Sequence, residues 1–77
     1  MEIKSDLQKV MRQVFQLEES YDVSDAQAGS LAEWNSIGHM QLVVALEEHF
    51  SVTFDSSEIA SALNFEKLLS VIQSKTA

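Results

Sequence analysis

Residues 33–50 read EWNSIGHMQLVVALEEHF. Leu42, Leu46 and Phe50 recur at every fourth position, with His39 and Val43 beside them. That is the spacing of one helix face, so the stretch predicts a helix over 36–50 with this face in a core. Ile37, Met40, Val44 and Glu47 form a second, mixed stripe at spacings of three and four, and Gln41, Ala45 and Glu48 fall elsewhere. The mixed stripe either docks a partner, as an apolar edge flanked by acids can, or lies under the preceding loop. Trp34, Asn35 and Ser36 stand at the head of the helix. Serine and asparagine are both preferred N-caps, worth about 1 kcal/mol over alanine. Ser36 therefore caps the helix itself, or Asn35 does and the Ser36 hydroxyl faces solvent from the first turn. In either case free N–H groups and the positive end of the helix dipole lie beside that oxygen. Such a field suits a phosphate ester.

Upstream, Ile3, Leu7, Val10, Val14 and Leu17 recur at spacings of four, three, four and three, widened by Met11 and Phe15. They predict a helix over 5–17, with Ser5 or a neighbour as its cap. Residues 18–35 are polar, with Gly29 as a breaker and Val23, Leu31 and Trp34 as expected anchors onto the core. A connection of this length is unusual in a small domain and is often functional. The alternative is that it hides a helical turn over 24–28.

Downstream, SVTFD at 51–55 alternates like a strand but has no second strand to pair with. It is expected to be an extended connector with Val52 and Phe54 inward. Residues 56–62 suit a short helix, and Asn64 suits the N-cap of a last helix over 65–75 with Phe65, Leu68, Leu69 and Ile72 facing in. The expected fold is all-α. It is a small four-helix bundle of three longer helices and one short one, with a long loop between helices one and two, forming a single domain over 1–77.

Composition narrows the function. The chain has 77 residues, 45% of them apolar, with no cysteine and no proline. Its core is small, and no disulfide or thiolate metal site can brace it. The first ten residues lack the apolar centre of a signal peptide. The longest purely apolar run, Leu42 to Leu46, is far too short to span a bilayer. A soluble, cytoplasmic monomer without membrane insertion is expected. The net charge of −7 argues against nucleic acid and anionic membrane as partners. All five basic residues lie near the termini, and ten acids occupy the span between Arg12 and Lys67. This is either a solubilising surface or a field that steers basic partner proteins to the middle of the chain.

Three sites fail on chemistry. Residues 22–33 place Asp22 and Glu33 at the ends of a calcium-loop template, but Ala26 and Gln27 stand where a ligand and a glycine are needed. His39 and His49 are ten residues apart with no cysteine in the chain, so no metal site is expected and each reads as a surface or half-buried histidine. Ser36 and His39 could bring a hydroxyl near an imidazole. A hydrolase also needs an orienting group, an oxyanion hole and a cleft, for which a chain this short has little room. No enzymatic activity is expected.

With these residues in view, EWNSIGHMQLVVALEEHFSVTF resembles the modification segment of acyl carrier proteins. In that family a D-S-L triplet carries 4′-phosphopantetheine on its serine, and the following helix ends in a run like ALEEHF. The long loop before the serine, the extended SVTF and the last helix opening at Asn64 also fit, so the resemblance covers essentially the whole chain. It implies that Ser36 bears the covalent 4′-phosphopantetheine arm, whose terminal thiol would carry acyl groups for fatty acid, polyketide or related lipid biosynthesis.

The resemblance also implies partners: a phosphopantetheinyl transferase, and acyl-transferring, synthase and acyl-modifying enzymes with basic docking patches. Asn35 and Ile37 stand at the triplet positions the transferase reads, and Met40, Val44, Glu47 and Glu48 at the helix face that partners bind. Leu42, Val43, Leu46, Phe50, Phe54, Leu68 and Ile72 would line the interior where many members shelter an acyl chain. The chain departs from the family in Asn35, which keeps the shape of aspartate without its charge, in Gly38 and His39, which thin the negative charge after the serine, and in Trp34. These departures lean toward a specialised carrier. An aminoacyl or peptidyl carrier and an unmodified acidic interaction module remain as alternatives.

Overall fold

The computed structural model of the protein describes residues 3–76 and contains four helices: α1 (Ile3–Val14), α2 (Ser36–Phe50), α3 (Ser56–Ser61) and α4 (Phe65–Thr76). The all-α expectation holds, with three longer helices, one short helix and a long α1–α2 loop. α1 starts two residues before the expected point, so Ser5 lies inside the helix rather than at its cap. What caps α1 lies outside the described residues. α1 also ends three residues early. Gln16 takes a left-handed φ of 55°, its N–H reaches the Gln13 carbonyl at 3.3 Å, and the Leu17 N–H reaches that of Arg12 at 2.8 Å. This pair of bonds closes the helix with glutamine in the place usually held by glycine. Phe15 nonetheless stays buried, which is why the apolar stripe ran past the helix end.

α2 has the expected bounds. It ends at Ser51, also left-handed at φ 55°, and the Val52 N–H returns to the Glu47 carbonyl at 3.2 Å. Residues 52–55 form the extended connector, with Phe54 buried and Val52 half-buried against the core. α3 opens on a capping box: Asp55 accepts the Glu58 N–H at 2.7 Å, and Glu58 accepts the Asp55 N–H at 2.9 Å. It ends one residue before the expected boundary, and Ala62 just beyond it is buried. Asn64 caps α4 as expected, accepting the Lys67 N–H at 2.8 Å.

The long loop contains no helical turn over 24–28. Its order comes from backbone pairing with the α3–α4 connection: Ala28 N–H to the Leu63 carbonyl at 2.7 Å, and Phe65 N–H to the Ala26 carbonyl at 3.0 Å. Arg12 Nε donates to the Tyr21 carbonyl at 2.8 Å and ties the loop to α1. Asp22, the first residue of the rejected calcium template, instead accepts both the N–H and the hydroxyl of Ser24. Val23 and Trp34 are fully buried anchors, and Leu31 is half-buried. The loop is thus a covering layer over the bundle, and it delivers the chain to the head of α2 in one orientation.

Candidate functional site

The head of α2 is settled by Asn35. Its backbone is extended, and its Oδ1 accepts the Gly38 N–H at 2.9 Å. Asn35 is therefore the N-cap, and Ser36 is the first helical residue, exposed to solvent. The Ser36 hydroxyl is not spent on capping. The Ser36 and Ile37 N–H groups belong to the first turn and have no intrahelical acceptor, so the oxygen stands in the positive field at the helix end.

Gly38 explains why the loop meets the helix so closely. A Cβ at this position would overlap the carbonyl oxygen and carbon of Glu33 and touch the Phe15 ring. Gly38 is thus more than a thinning of negative charge after the serine. Its structural role is to let the backbone of the loop lie directly on the first turn of α2.

A groove of about 570 Å³ runs from Ser36 between α2, the loop and α3, with Ala28, Met40, Ile59, Ala60 and Leu63 on its sides and Trp34 and His39 also lining it. Gly29, at φ 91°, turns the loop along its edge, and its N–H donates to the Trp34 carbonyl at 3.0 Å. Trp34 is 0% exposed and His39 8%. The expectation of a surface or half-buried His39 is therefore corrected. The Trp34 indole N–H donates to His39 Nδ1 at 3.0 Å, and Nε2 lies 2.8 Å from the Ile59 carbonyl. Indole can only donate, so the ring proton of His39 sits on Nε2 and is given to Ile59. Both nitrogens are occupied, and His39 is not available as a base for Ser36. His49 sits on the surface, 3.7 Å from Asp6.

α3 forms one wall of the groove. Lys75 Nζ lies 2.8 Å from Glu58 Oε1. Lys75, and then the Asp55 N–H, hold the Glu58 carboxyl below its ordinary range. The Asp22 carboxyl is also held low, chiefly by the Ser24 hydroxyl.

The remaining predicted site residues lie along α2. Ile37, Met40 and Val44 are 72%, 48% and 49% exposed and form one apolar strip leading away from Ser36. Glu48 is exposed. Glu47 is half-buried, and its Oε2 accepts the Phe54 N–H at 2.8 Å, so this acid also anchors the connector. The Trp34–His39 pair, the close approach at Gly38 and the Glu47 anchor were not read from the sequence. The signal for the first was a tryptophan and a histidine five residues apart, both beside the core stripe.

No family model matches the chain. It is 34% identical over 58 residues to the D-alanyl carrier protein of Streptococcus mutans serotype c, a match that covers 75% of this chain and 72% of the relative. Its structure is similar to the solution NMR structure of holo acyl carrier protein from Geobacter metallireducens. The TM-score is 0.84 at 28% identity, over 97% of this chain and 86% of that one. Among the described residues, no helix is long and apolar enough to cross a membrane.

Proposed function

The chain belongs to the phosphopantetheine-binding carrier proteins, and on that premise we propose that Ser36 is the residue to which its 4′-phosphopantetheine arm is joined. The observation that carries this is the division of labour at the head of α2: Asn35 caps, which leaves Ser36 an exposed hydroxyl on the first turn. An arm attached there has free space to move, and its phosphodiester sits where the helix end favours an anion. When bound, the arm supplies a thiol on which cargo rides as a thioester. The chain itself has no cysteine to do so.

The protein's own residues then hold and present. Gly38 and Asn35 fix the first turn against the loop, so the backbone that bears the ester is held in place. Ile37, Met40 and Val44 offer an apolar strip beside it, and Glu48 adds charge at its far end. Partner enzymes with basic patches would meet this face briefly and in a salt-sensitive way. On this reading the protein is a carrier rather than an enzyme, and it works in the cytoplasm. A phosphopantetheinyl transferase installs the arm, and the enzymes that load, modify and discharge the acyl group are its other partners.

Fatty acyl or polyketide cargo is one reading. Aminoacyl cargo is the second, favoured by the similarity to a D-alanyl carrier protein. The test of the attachment is direct: incubate the chain with a broad phosphopantetheinyl transferase and coenzyme A, then record the intact mass. The expected result is one added arm on the wild type and none on Ser36→Ala. A wild type that gains nothing across several transferases leaves only an acidic interaction module.

A further inference from the structure

The groove that starts at Ser36 stops at a hydrogen-bonded boundary and does not continue into the bundle. At that boundary Trp34 donates to His39, and His39 donates to the Ile59 carbonyl of α3. The interior is already filled by side chains such as Leu42, Leu46 and Leu68, all fully buried. α3 is pinned at two places, where His39 holds Ile59 and Lys75 holds Glu58, and the loop holds the connection that follows it through the backbones of Leu63 and of Phe65 at the head of α4. A chain pushing in between α2 and α3 must part the His39–Ile59 bond that joins them. It would leave an imidazole N–H and a carbonyl without partners at a largely buried site, which is far costlier than losing exposed bonds. A long apolar chain left in the open groove would keep one flank in water, and hydrophobic shelter scales with area removed from water.

The geometry points to a specificity determinant in the Trp34–His39–Ile59 relay: it seals the bundle interior, so the group carried on Ser36 is a short acyl group, aminoacyl groups included, that stays outside the core. This rests on the carrier reading and narrows its cargo.

The methyl signals of the fully buried Leu42 and Leu46 report on the core, apart from the groove wall that Trp34 lines. Ser36 is loaded with hydrolysis-resistant alanyl or octanoyl pantetheine, each checked by intact mass. In the wild type these methyl signals stay in place through both loadings. In His39→Ala, octanoyl loading shifts them and raises the melting temperature, and alanyl loading does neither. His39→Leu keeps most of the side-chain bulk and removes both bonds of the relay. It is read through the same signals, and it serves as the opened form if His39→Ala does not fold. A wild-type core-methyl shift on octanoyl loading overturns the seal. An opened form that octanoyl leaves unmoved overturns the role of the relay. Absence of any mass gain at Ser36 overturns the carrier reading, and this inference with it.

Discussion

The carbonyl of Glu33 lies directly against the Cα of Gly38, with no room between them for a methyl group. This contact joins the end of the long loop to the first turn of α2. Gly38→Ala gains helix propensity of about 1 kcal/mol. It must also push a backbone carbonyl out of the way, an overpacking cost of about 1–3 kcal/mol or more. Net destabilisation is expected, measured as a lower urea midpoint with an unchanged m-value. An equal or higher midpoint would show that the loop yields freely there.

Asn35 separates capping from recognition. Asn35→Ala removes the acceptor for the Gly38 N–H and is expected to cost about 1 kcal/mol. Asn35→Asp keeps the acceptor and places a negative charge at the helix N-terminus, worth about 0.3–1 kcal/mol, but it loses the amide's 3.3 Å bond to the Ala32 carbonyl. Thermal melts should place both Asn and Asp above Ala. If transferase recognition uses a charge at this position, Asn35→Asp also accelerates arm addition, as followed by mass over time.

The two glutamates near the end of α2 should behave differently. Glu47→Lys strands the Phe54 N–H that Glu47 now holds, at a cost of about 1–3 kcal/mol, while Glu47→Gln keeps an acceptor and recovers most of it. Glu48→Lys lies on the exposed face and should leave stability within about 0.5 kcal/mol. It should still slow transfer by a partner synthase at low salt, and the gap should close as salt screens the contact. Equal transfer rates at low salt would remove Glu48 from the docking face.

Acidification should weaken the fold through Glu58 and Asp22. Both carboxyls are held below their ordinary values, Glu58 first by Lys75 and Asp22 first by Ser24. The unfolded chain therefore takes up protons before the folded one does. The stability these groups lend is complete above the ordinary carboxylate range and is lost as pH falls through their depressed folded values. Acid also relieves the self-repulsion of a chain at −7, so the clean measurement is the melting-temperature difference between wild type and Glu58→Gln. That difference should be full near neutral pH and close in acid.

The helices were legible where local chemistry sets them. The fourfold recurrence of Leu42, Leu46 and Phe50 together with Asn35 and Ser36 placed α2, and Asn64 placed α4. α1 was misplaced at both ends because periodicity reports burial rather than helix: Phe15 is buried after the helix has closed at Gln16. An exposed hydroxyl at the head of α2 was legible because capping needs only one of Asn35 and Ser36, though which one was decided by geometry. The Gly38 contact depends on how the end of the loop folds back, and the His39 bond to Ile59 and the loop's pairing with residues 63–65 depend on where distant backbone lies, and no residue spacing encodes that. Glu47 looked like a surface acid because its partner N–H is seven residues on, past the turn at Ser51.

Gln16 and Ser51 end the two helices with left-handed backbones that lack glycine's freedom. Each carries a conformational penalty of about 1 kcal/mol that glycine would relieve. The scaffold therefore has thermostability in reserve at two helix ends. Ser51 lies at the opposite end of α2 from the residue that would bear the arm, whereas Gln16 shares a cleft with Asn35, Ile37 and Gly38, so Ser51→Gly is the change that would toughen the protein for heat or long storage while leaving that end untouched.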